Sequence, residues 1–122
     1  IMNNVIAYGV KNIDFNHSST TGSSIFNNKE TSHLSSNNVS SKTLGMLLCE
    51  HNIKGCYSLI TDIEGSEASI FFKDTHALKY CKEIIAELEN TYQYSIAEQI
   101  KQLKIIGFSL VEQYGNVVVM TK

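Results

Sequence analysis

The chain has no proline, no tryptophan and only three cysteines among its 122 residues. An odd cysteine count without paired spacings excludes a disulfide framework and fits a reducing compartment. There is no C-x-x-C, so the two clusters of a structural zinc site are missing, and neither metal nor cofactor is expected. Positive charge is not in excess. A net charge of -2 lacks the basic footprint of a nucleic-acid binder. No apolar run approaches the ~20 residues of a membrane helix. The N-terminal IMNNVIAYGV also lacks the pattern of a secretory signal, so a cytoplasmic location is expected. No glycine-rich phosphate loop occurs, because Gly22 stands without glycine partners. The abundance of asparagine, serine, isoleucine and lysine points to no task.

What is present suffices for one domain, spanning 1–122, with one modest core, since 43% of the residues are hydrophobic. The chain is organised around Lys54–Lys73, KGCYSLITDIEGSEASIFFK. Tyr57, Leu59, Thr61 and Ile63 alternate with Ser58, Ile60 and Asp62, which predicts a strand. Ala68, Ile70 and Phe72 alternate with Ser69, Phe71 and Lys73, which predicts a second strand. Gly65 lies in the polar break and can supply a positive φ, so the pair reads as a β-hairpin.

Val5–Val10 is an apolar run that predicts a first strand, with Ile13 and Phe15 able to extend it. Residues 16–41 are mostly serine, threonine and asparagine, which favour turns over regular structure, and read as a mobile insertion. Lys42–Ile53 predicts a helix with a Leu44, Leu47, Leu48 stripe, capped by Ser40 or Ser41 and stopped at Asn52 or Gly55. Gly45 inside it implies a close approach by another group. From Thr75 to Tyr92, Ala77, Leu78, Cys81, Ile84, Ile85 and Leu88 recur at helical offsets and predict the second main helix. Ile96 and Ile100 add a short helical signal. Ile106, Phe108 and Leu110 alternate, Gly115-Asn116 is a two-residue hairpin turn, and Val117–Met120 is a returning strand apolar on both faces.

No catalytic constellation stands out. Cys49, His51 and Cys56 are close in sequence, but lack the second cluster of a metal site. Cys49 and Cys81 read instead as core thiols on apolar helical faces. Glu64 and Glu67 flank a turn, as solvated acids often do. The reading is a non-enzyme.

The order strand, helix, strand, strand, helix, strand is the ferredoxin-like split arrangement. The expected fold is α+β, a ferredoxin-like βαββαβ antiparallel sheet. Two helices lie on one face, with a C-terminal hairpin strand and a long loop insertion added. Gly45-Met46-Leu47, His51-Asn52-Ile53, Leu59-Ile60-Thr61 and Ser66-Glu67-Ala68-Ser69-Ile70 resemble the motifs of regulatory ACT domains, above all those of aspartokinases. The similarity runs from about Leu44 to Met120. The sequence departs from the family in two extra residues after Asn52-Ile53, in Asp62–Gly65 before Ser66, and in the long serine/asparagine segment that replaces a short glycine-bearing loop.

The resemblance implies a regulatory, small-molecule-sensing module that holds a small amino acid between two copies. Carried over by position, the ligand-binding residues are Ser58, Thr61, Ser66 and Glu67. The alternative is a protein-interaction or trafficking adaptor, longin- or profilin-like, without a small-molecule ligand. A homodimer is expected on separate grounds. A small sheet leaves an edge or face open, and of the pairs Val118/Met120 and Val117/Val119, one should be inter-chain.

Overall fold

The computed structural model describes residues 5–6, 8, 12–17, 23–24 and 36–122. Its elements are β1 Val5–Ile6, β2 Asn12–His17, β3 Ser23–Ser24, β4 Ser36–Lys42, α1 Leu44–Glu50, β5 Tyr57–Thr61, α2 Glu67–Lys73, β6 Cys81–Glu87, α3 Ile96–Ile105, β7 Ser109–Tyr114 and β8 Val117–Thr121. A single 3-10 turn, Ala77–Tyr80, leads into β6. The fold is α+β, with a four-stranded mixed sheet in the order β5-β6-β8-β7. A further sheet runs β1-β4-β2-β3.

The expected hairpin at Lys54–Lys73 is half correct. β5 alternates as read from the sequence, with Tyr57, Leu59 and Thr61 turned inward and Ser58 and Ile60 exposed. The second run is helix α2. Its buried residues are Glu67, Ala68, Ile70 and Phe71, a helical spacing rather than an alternation. A short apolar run fits either pattern, and here the surroundings choose helix. The polar break is therefore a strand-to-helix turn, in which Glu64 and Gly65 both take positive φ, 54° and 90°.

The predicted helix from Thr75 to Tyr92 is corrected to strand β6 after the 3-10 turn. Ile84, Ala86 and Leu88 are fully buried or nearly so at a period of two. β6 is central, paired in parallel with β5 and antiparallel with β8. Ile85, on the second face, is apolar beside Ile84 and Ala86, and this adjacent apolar run imitates helical offsets. The parallel β5–β6 pair, bridged by α2, also differs from the antiparallel βαββαβ sheet expected. From β5 onward the order is strand, helix, strand, helix, strand, strand.

Other expectations are met. α1 begins two residues later than a Ser41 cap would set it, because the Thr43 hydroxyl accepts from the Met46 N–H as N-cap. Asn52 follows its end with φ 54°, the left-handed stop read from the sequence. The C-terminal hairpin forms as β7 and β8 about Gly115, whose φ is 58°. Ile96 and Ile100 belong to α3, which a capping box opens. The Ser95 hydroxyl accepts from the Glu98 N–H, and the Glu98 carboxylate accepts from the Ser95 N–H at 2.8 Å.

Within Val5–Val10 only β1 and Tyr8 are described, and Ile13 and Phe15 lie in β2. The span read as an insertion, 16–41, contains β3 and most of β4, with β4 paired to both β1 and β2. Residues 18–22 and 25–35 lie outside the described residues.

One core lies between the helices and the β5-β6-β8-β7 sheet. Leu44 of α1, Ile70 and Phe71 of α2, and Leu103 of α3 meet Ile84, Ala86, Val118 and Met120 of the sheet. All three helices therefore pack on the same face of the β5-β6-β8-β7 sheet.

Candidate functional site

The four residues carried over as ligand-binding divide in two. Thr61, Ser66 and Glu67 come together, buried, where β5 turns into α2. Ser58 does not join them and lies exposed on the opposite face of β5. The Glu67 carboxylate accepts from the Ile63 N–H at 2.6 Å, the Gly65 N–H at 3.0 Å and the Thr61 hydroxyl at 3.3 Å. It is a brace for a turn whose two left-handed residues leave N–H groups pointing inward. Burial pushes the Glu67 carboxyl above its ordinary value, and the three donors pull it partly back. All three of these donors come from the same strand-to-helix segment.

A second carboxylate ties three segments together. Asp74, which follows α2, accepts from the Tyr8 hydroxyl at 3.0 Å and from the Gly45 N–H at 2.9 Å. The close approach implied at Gly45 is this one, since a Cβ there would stand 3.3 Å from the other Asp74 oxygen. Burial pushes the Tyr8 phenol well up. The Leu44 N–H opposes that shift and the Asp74 carboxylate adds to it. Tyr8 thus remains a donor throughout the ordinary pH range. Tyr8→Phe removes the anchor of this segment to Asp74 and is expected to lower the unfolding free energy by about 1–2 kcal/mol. A urea midpoint equal to wild type would show that the bond contributes nothing.

The cysteines carry no nucleophile pattern. Cys81 is buried, as expected of a core thiol. Burial pushes its thiol up, and its sulfur donates to the Glu83 carbonyl. Cys49 is exposed, which corrects its reading as a core thiol, and Cys56 is exposed too. Among the described residues no group of three His, Cys, Asp or Glu side chains is placed to hold a metal ion. Also among them, no helix is long and apolar enough to cross a membrane.

The feature without an internal purpose is the second face of the sheet. Register aligns Ile60 with Ile85, Ile85 with Val119, and Val119 with Glu112. The next row aligns Glu87, Val117 and Tyr114. On the other side Ser58, Glu83, Thr121 and Ser109 form a polar row. Ile60 is 76% exposed and Tyr114 86% exposed. Ile85 and Val119 are half-buried.

The structure thus separates the two valine pairs of β8. Val118 and Met120 are core, and Val117 and Val119 belong to the open face. The outward alternation of β5 and the two-faced apolar run of β8 were visible in the sequence. Ile85 was not, because β6 was read as a helix. Comparison with protein families, curated proteins and solved structures returned no match.

Proposed function

We propose that the chain is a non-catalytic protein-interaction module that works through the open face of the β5-β6-β8-β7 sheet. The observation that carries this reading is the exposed apolar row Ile60–Ile85–Val119, with Val117 and Tyr114 beside it, on a face opposite all three helices. Exposed apolar patches rimmed by polar groups mark interaction sites, because water contact there is unfavourable and burial recovers that free energy.

An ACT-like regulatory role, with a small amino acid held between two copies, is the second reading. Helices confined to one face favour it, since they leave the sheet free to meet a second copy, and Ser58 is exposed on that face. Thr61, Ser66 and Glu67 speak less for it, because they are buried and Thr61 and Glu67 bond to each other. A thermal-shift screen with the twenty amino acids and common nucleotides separates the two. The interaction module is expected to show an unchanged midpoint with every compound. One amino acid that raises the midpoint at millimolar concentration would overturn it in favour of the sensing role, because a ligand that binds only the native state stabilises it by mass action.

A further inference from the structure

We infer that the partner seated on the open face is a basic amphipathic helix, an apolar stripe flanked by lysine or arginine; this rests on the interaction-module reading. The size of the patch comes first. Neighbouring strands lie about 4.8 Å apart, so the row from Ile60 through Ile85 to Val119 spans about 10 Å. One face of a helix repeats over seven residues at about 10.5 Å. The patch is thus the footprint of one helix laid across the strands, with apolar side chains at i, i+3 or i+4, and i+7 meeting Ile60, Ile85 and Val119.

Charge then selects the kind of helix. Glu83 and Glu87 flank Ile85 on either side along β6, and Glu112 closes the row beyond Val119. The outward positions paired by the register carry these three carboxylates, while Lys82, the extra residue where β6 bulges against β5, is exposed next to Glu83 in the chain. Lys122 instead reaches over the Phe108 ring, 4.8 Å from its centroid. Among the described residues none of the three glutamates is in an ion pair. Cations on both sides of an apolar stripe meet Glu83 and Glu87, and one at the end of the stripe meets Glu112. A second copy of the same face would bring acids towards acids, which opposes association.

The test uses the full chain and three synthetic peptides of about fifteen residues. One carries a helical leucine stripe with lysine elsewhere. The second replaces lysine by glutamate, and the third replaces leucine by serine. Binding is read by fluorescence anisotropy and by amide chemical shifts. The leucine/lysine peptide is expected to bind, to shift Ile60, Ile85, Val117 and Val119, and to weaken as salt is raised. The other two are expected not to bind.

In the triple variant Glu83→Gln, Glu87→Gln, Glu112→Gln, affinity should fall about tenfold, the sum of three exposed ion pairs. Its thermal midpoint checks that it folds. Undiminished binding by that variant, binding of the leucine/glutamate or serine/lysine peptide, or no binding of any peptide would each overturn the assignment. A dimer whose dissociation on dilution shifts the same residues would also overturn the basic helix. It would leave the interaction-module reading in place. A responding amino acid in the thermal screen is the separate result that removes that reading.

Discussion

Glu67→Ala is expected to lower the unfolding free energy by about 2–5 kcal/mol. The variant removes the acceptor for the Ile63 and Gly65 N–H groups and for the Thr61 hydroxyl. Each buried donor left without a partner costs about 1–3 kcal/mol. The loss is large beside the ~5–15 kcal/mol typical of a domain. The same side chain sets a pH dependence. Its folded pKa lies above the ordinary 4.5, chiefly through burial.

The folded state therefore holds this proton more tightly than the unfolded chain does. The stability that follows is fully present below pH 4.5 and is lost as pH rises through the folded value. Glu67→Gln keeps the shape without the titration. The stability of wild type relative to Glu67→Gln is thus expected to fall with rising pH across that window. Urea denaturation between pH 4 and 8 measures it, and a difference that grows with pH would reject the assigned direction.

Ile84→Ala is expected to cost about 2–5 kcal/mol, as a cavity in the core does. Ile84 is fully buried on β6, between β5 and β8. Its neighbour provides the sharper comparison. On a strand, Ile85 turns to the opposite face, where it is half-buried, so Ile85→Ala should cost roughly 1 kcal/mol or less. On a helix, both residues would lie near one buried face and both changes would be costly. Equal, large losses in chemical denaturation would restore the helix that the sequence alone suggests.

The legible parts of the fold are those specified by a few adjacent residues. Gly115-Asn116 between two strand-like runs needs only its own backbone to turn, and β7 and β8 form there. Asn52 stops α1 by taking a left-handed conformation. The Ser95/Glu98 pair, an S-x-x-E signal that the sequence reading above did not use, opens α3 as a capping box. The less legible parts are the two runs whose apolar residues suit either periodicity. In SEASIFF the burial of Phe71, and in CKEIIAELE the outward turn of Ile85, depend on what lies across the core.

The candidate site divides along the same line. The sequence by itself determined that an α+β fold forms and that the outward side of β5 alternates polar and apolar. It also determined that Val117–Met120 is apolar on both faces, because each of these is a local pattern of side chains. Only the tertiary structure decided that Glu67 turns inward to brace a turn. Its three donors are backbone and hydroxyl groups aligned by the β5-to-α2 turn. Only the structure aligned Ile60, Ile85 and Val119 in one row, because residues far apart in the chain become neighbours through the register of three strands, which no local pattern encodes.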